Sequence, residues 1–163
     1  MDNGINRVGD GWDIHSMRGI GIGEVIIGNV LRLHTGSSRI EVHSPAELTT
    51  DHEAVPVHAS TRTNLDRLPQ LLDQVVAEVH AADSGSLRVR FANSWRLDVP
   101  VSSDASGWVI GLRGSSSISS LPGGGVRMPT DHRLESRSCT SSKHRKGPCI
   151  PNQKVRTPLN LAR

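Results

Sequence analysis

A chain of 163 residues is long enough for one domain of ordinary size, and its apolar content rests on Val, Ile and Leu, because the aromatic residues are Trp12, Phe91, Trp95 and Trp108 alone. The formal charge of +3 would point to nucleic acid, but residues 133–163 hold eight Arg or Lys against Glu135 alone. The chain upstream is therefore close to neutral or slightly acidic and carries no electrostatic footprint for DNA or RNA.

Residues 1–20 mix Gly, Asn, Asp and charged residues without a period and are expected to be a flexible lead. In EVIIGNVLRLHTGSSRIEVHS, Val25, Ile27, Leu31 and Leu33 share one parity and Ile40 and Val42 repeat it. With Thr35-Gly36-Ser37-Ser38 as the turn, that is a β-hairpin. Residues 44–62 hold two prolines and no sustained period, which predicts a loop with a short extended piece at 55–58.

In NLDRLPQLLDQVVAEVHAA, helical and strand periods compete. Pro69 suits a first helical turn and β-branched residues crowd the second half, so a short helix is expected at 66–73 and a strand at 74–82. After the turn Asp83-Ser84-Gly85-Ser86, LRVRF alternates strictly, with Leu87, Val89 and Phe91 on one face and Arg88 and Arg90 on the other. Trp95, Leu97, Val99 and Val101 alternate again, completing a three-stranded meander. A three-residue loop at 92–94 is the one that sets Val89 against Leu97 and Leu87 against Val99, with all apolar residues on one face. A closing hairpin follows at 108–121, then Pro122-Gly123-Gly124-Gly125 and Val126-Arg127-Met128.

The expected fold is thus α+β, mainly β, made of antiparallel hairpins and a meander with one short helix over residues 21–128. Residues 129–163, rich in Ser, Thr, Pro, Arg and Lys, are expected to form a disordered basic tail. No apolar run approaches the roughly 20 residues of a membrane helix. Cys139 and Cys149 both lie in the tail, and no basic-then-apolar leader opens the chain. A cytoplasmic protein with reduced thiols and no membrane partner is expected.

The segments Gly85-x-Leu87-x-Val89-x-Phe91, Trp95-x-Leu97-x-Val99, Trp108 and Leu121-Pro122-Gly123-Gly124 resemble an uncharacterised family of small β-rich bacterial domains of unknown function, common in actinobacteria. The resemblance spans roughly residues 22–128 and implies a compact β-rich fold without an assigned activity. Two positions depart from that pattern: Asn93-Ser94 stands where Asp-Gly or Asn-Gly is usual, and Ala105-Ser106-Gly107 replaces an acidic and aromatic cluster.

Candidate chemistry is sparse. Gly19-Ile20-Gly21-Ile22-Gly23 would cradle a phosphate only if a strand preceded it and a helix followed, and the predicted order is the reverse. Pro122-Gly123-Gly124-Gly125 suits a tight turn between strands. His43, His52 and His58 lie in and beside the long loop without the spacing of a metal site, and Asp51 and Glu53 flank His52 without any reason to converge. In the tail, Cys139, His144 and Cys149 have the spacing of three zinc-knuckle ligands, but Ser136 stands in the fourth position and cannot complete the tetrahedral site. The expectation is a non-catalytic binding or interaction module of an immunity-like or regulatory kind, with no cofactor, no metal and another protein as partner. The alternative is a nucleic-acid-associated protein acting through Lys143, Arg145 and Lys146, whose weak, nonspecific contacts would be salt-sensitive.

Overall fold

In the computed structural model, which describes residues 4–114 and 116–129, the apolar alternation becomes short antiparallel strands arranged in two sheets. The chain lays down β1 (Ile5–Val8) and β2 (Gly11–Ile14), then β3 (Glu24–Ile27), β4 (Leu31–Thr35) and β5 (Ser38–Val42). Next come β6 (Ala46–Thr49), β7 (Ala54–Val57), β8 (Val76–Ala82), β9 (Leu87–Phe91) and β10 (Arg96–Val99). It ends with β11 (Trp108–Gly111), β12 (Ser117–Ser120) and β13 (Val126–Arg127). The larger sheet has seven strands in the order β1-β2-β8-β9-β10-β6-β7, and the smaller has six in the order β13-β12-β11-β5-β4-β3.

The inward parities of both sheets fill one core. Leu87, Val89 and Phe91 of β9, Leu97 and Val99 of β10, and Val76, Val79 and Ala81 of β8 are buried with Leu33, Ile40, Trp108, Ile110 and Ile118 of the smaller sheet. Burial at about 25 cal/mol per Å² of apolar surface makes these positions the main source of stability. Between β9 and β10, Val89 pairs with Leu97 and Leu87 with Val99. The connecting residues 92–94 form a three-residue loop in which the Ser94 N–H donates to the Phe91 carbonyl at 3.0 Å and the Phe91 N–H to the Trp95 carbonyl at 2.9 Å. Ser94 takes a positive φ of 78° there.

Three segments differ in detail from the expected outline. Within the expected flexible lead, β1 and β2 form a hairpin on one margin of the larger sheet, and Ile14 and Met17 are fully buried. Arg7 stands where an apolar residue would have shown the alternation; it lies 5.0 Å from the Trp12 ring and makes a bidentate ion pair with Asp83. The 44–62 segment likewise contains a hairpin, β6–β7, whose second strand carries Pro56 at a sheet edge, where a missing N–H breaks no ladder. The short helix expected at 66–73 is a 3-10 segment, Leu65–Leu71, preceded by Asn64 in the left-handed region and containing Pro69, and the fold is mainly β as expected. Leu68 and Leu71 anchor it against β3 and β7, the outermost strands of the two sheets, so it covers edges that would otherwise invite pairing with other chains.

Candidate functional site

With the inward positions taken by the core, the other parity of the larger sheet faces outward, and register decides which outward side chains meet. Asp13, His80, Arg88, Asp98 and Glu47 occupy one continuous cross-strand row over β2, β8, β9, β10 and β6. The adjacent row is Glu78, Arg90, Arg96 and Thr49. Asp98 uses both oxygens on arginines: Arg88 Nε donates to Oδ1 at 2.8 Å and Arg96 Nε to Oδ2 at 2.6 Å. The hydrogen bond to Asp98, with that carboxylate's charge, raises the Arg88 pKa further above its ordinary value. Because both arginines bind through Nε, their terminal nitrogens have no partner among the described residues.

Arg90 is the odd member. It stands directly opposite Arg96, and its nearest carboxylate, Glu78, is 3.7 Å away. Arg88, Arg90 and Arg96 therefore make a basic centre with Asp10, Asp13, Glu47 and Glu78 around it. A groove of about 580 Å³ runs over this face, lined among others by Asp10, Glu47, His80, Arg88, Arg96 and Asp98. The arrangement presents charge and hydrogen-bond donors on a rigid surface.

A second arrangement holds the two sheets together. The Trp108 indole N–H donates to the Gly85 carbonyl at 2.9 Å, and the Gly125 N–H donates to the Ser84 carbonyl at 3.0 Å. Gly85 has φ 104°, and a Cβ there would lie 2.9 Å from the Gly125 backbone nitrogen. The β8–β9 turn, Trp108 and the glycine turn after β12 thus meet at one point, where only glycine allows so close a backbone approach. These are the same segments on which the resemblance in sequence rests. The profile of a family of unknown function (DUF6188) matches residues 13–130. The chain belongs to this family. No curated protein and no solved structure matches it. The DUF6188 match begins inside β2, so β1 lies ahead of it, whereas β8, β9, β10 and β6, which carry most of the charged rows, lie within it.

Other residues singled out in the sequence are scattered. Asp51 and His52 are exposed at the β6–β7 turn, and Glu53 pairs with Arg67 at 2.7 Å. His58 Nδ1 is 3.1 Å from Thr61 Oγ1. His43 Nε2 lies 3.1 Å from Glu41 Oε1 on the outer face of the smaller sheet, and Glu41 also accepts from Arg39 Nε at 2.7 Å. The 19–23 glycine run leads into β3, with Gly21 bridged to Val75. Among the described residues no group of three or more His, Cys, Asp or Glu could hold a metal ion. Lys143, Arg145, Lys146, Cys139, His144 and Cys149 lie outside the described residues. The charged rows were only half legible: Arg88 and Arg90 stand out in LRVRF, but Asp13 and Glu47 come from strands with no visible alternation.

Proposed function

We propose that this DUF6188 domain is a cytoplasmic, non-catalytic binding module that docks an acidic protein partner on the outer face of its larger sheet, in an immunity-like or regulatory role. The observation that carries this reading is the Arg90–Arg96 pair. Like charges directly opposite each other across a sheet are destabilising, and here they stand beside Arg88, with Asp98 hydrogen-bonded to Arg88 and Arg96 and Glu78 no nearer to Arg90 than 3.7 Å. Carboxylates from a partner would relieve that repulsion and find guanidinium nitrogens already oriented by Asp98. Arginine is also the charged residue most enriched at binding hot spots. The test is co-purification of the full chain with the products of the reading frames flanking its gene, as wild type and with Arg90→Glu and Arg96→Glu combined. Loss of an acidic partner in the double variant, with an unchanged fold by circular dichroism, is the expected result. A partner held equally by both proteins would place the docking face elsewhere.

A second reading rests on the sequence of residues 130–163. Their excess of Arg and Lys supports weak, salt-sensitive contact with single-stranded nucleic acid through Lys143, Arg145 and Lys146.

A further inference from the structure

The charged rows on the outer face of the larger sheet stop short of its β9–β10 loop. Beyond the row of Glu78, Arg90, Arg96 and Thr49, the next outward positions are Val75, just before β8, and Ala92, just after β9. The Ala92 N–H donates to the Val75 carbonyl at 2.8 Å, and on its other side Val75 is bridged to Gly21. A β-bulge sets this order. Val76 pairs with Phe91 and Glu78 with Arg90, so Ala77 is an extra residue that shifts the parity, with Val76 turned into the core and Val75 turned out.

A single exposed valine is ordinary on a protein surface; this one is informative through its neighbours. Val75 is 38% exposed, and Ala92 beside it is exposed as well. Gly21 leaves the space next to Val75 open, since a Cβ there would meet no atom nearer than the Gln74 carbonyl oxygen at 3.9 Å. One step along the strands lies the Arg90–Arg96 pair, and one step further lies Arg88. The face therefore runs from apolar to basic over three successive rows.

We propose that the acidic partner docks here through an extended segment with two carboxylates and one apolar side chain at alternate positions. The carboxylates would lie over Arg88 and over the Arg90–Arg96 pair, and the apolar side chain over Val75 and Ala92. This inference rests on the docking reading above and adds to it the pattern of the docked segment. Same-face residues of an extended chain are two apart and about 6.6 to 6.8 Å from each other, which is also the spacing of successive rows along the sheet. A segment laid along β9 thus matches row for row, with acidic residues at two alternate positions and an apolar one at the next. Charge alone would accept many acidic chains, whereas an apolar contact at one end selects direction and register.

Amide chemical-shift titration of the full chain at constant ionic strength tests this with three capped peptides of equal charge. They are Ser-Glu-Ser-Glu-Ser-Leu-Ser, the same peptide with Ser in place of Leu, and the permuted Ser-Glu-Ser-Leu-Ser-Glu-Ser. The first should give saturable shifts at Gly21, Val75, Arg90, Ala92 and Arg96. It should bind about fivefold more tightly than the other two, as half-burying one leucine implies. Val75→Thr keeps the branched shape and alters no core residue, so it should erase most of that preference and leave the leucine-free peptide unaffected. Arg90→Glu combined with Arg96→Glu should weaken all three peptides by about tenfold or more. Equal affinity of the first two peptides, or a preference that survives Val75→Thr, would overturn the apolar contact while leaving the charge reading in place. A permuted peptide that binds as tightly as the first would overturn the row-by-row match. No saturable shift at these residues, shifts confined to residues 130–163, or binding indifferent to the two glutamates would overturn the docking face itself and this inference with it.

Discussion

Ser94 holds a φ of 78°, a conformation that costs a residue with a Cβ on the order of 1 kcal/mol. Ser94→Gly should therefore stabilise the domain by roughly 0.5 to 1 kcal/mol even after the added unfolded-state entropy, or a few degrees in melting temperature. Asn93 has a different part in the same loop, since its Oδ1 accepts from the Trp95 N–H at 3.0 Å, and Asn93→Gly should lower the melting temperature. The opposite pair of outcomes would move the left-handed residue one position earlier and break the register. Glu41 supports a pH prediction. Burial alone would raise its pKa, but hydrogen bonds from Arg39 and His43 and the charges of Arg39 and Arg32 outweigh that and hold the carboxyl below its ordinary value. A depressed acid contributes stability that is present above its unfolded pKa and lost as pH falls through its folded one. The thermal stability of the wild type should therefore fall with acidification below about pH 4.5, and Glu41→Gln should flatten part of that slope. A slope identical in the two proteins would show that Glu41 is not one of the groups responsible.

At the scale of elements, the joint between the sheets is the most sensitive point. Trp108→Phe keeps an aromatic ring but leaves the Gly85 carbonyl without its buried donor, a loss of about 1 to 3 kcal/mol measurable by denaturant unfolding. Gly85→Ala should be worse, because the strained φ and the contact with the Gly125 backbone cannot be relieved by a side-chain rotation. If Gly85→Ala were tolerated better than Trp108→Phe, the backbone approach would not be what limits the joint. Legibility in sequence divides along how regularly the apolar residues alternate within and beyond each strand. The strands β8, β9 and β10 offered two or three inward apolar residues each, and the period could be read. Four-residue strands such as β1, β2, β6 and β7 offer two inward positions apiece, and Arg7 and Pro56 interrupt the pattern in two of them. The same blindness hid half of the candidate docking face. Arg88 and Arg90 were visible as an outward pair, and the loop register sufficed to set Arg96 opposite Arg90. Asp13 and Glu47 needed strands that only tertiary pairing reveals.

For the whole molecule, charge separates along the chain. Residues 1–129 contain eleven arginines, no lysine and fourteen Asp or Glu, whereas all three lysines, Lys143, Lys146 and Lys154, lie beyond. Every residue of the buried core falls between positions 14 and 118, and the family match ends at 130. Truncation after Pro129 is accordingly expected to leave the melting temperature within about two degrees of the full chain, since every residue of the buried core is retained. A lysine-specific protease offers an independent check, because its sites all lie outside the core-bearing segment: brief digestion should yield a fragment that unfolds like the intact chain. The same truncation separates the two functional readings. Contact with single-stranded nucleic acid should disappear with residues 130–163 and, in the full chain, weaken steeply with salt, whereas docking through Arg88, Arg90 and Arg96 should be untouched. Salt-resistant nucleic-acid binding by the truncated domain would be incompatible with this division, because a segment with more carboxylates than arginines has no net positive charge to offer a phosphate backbone.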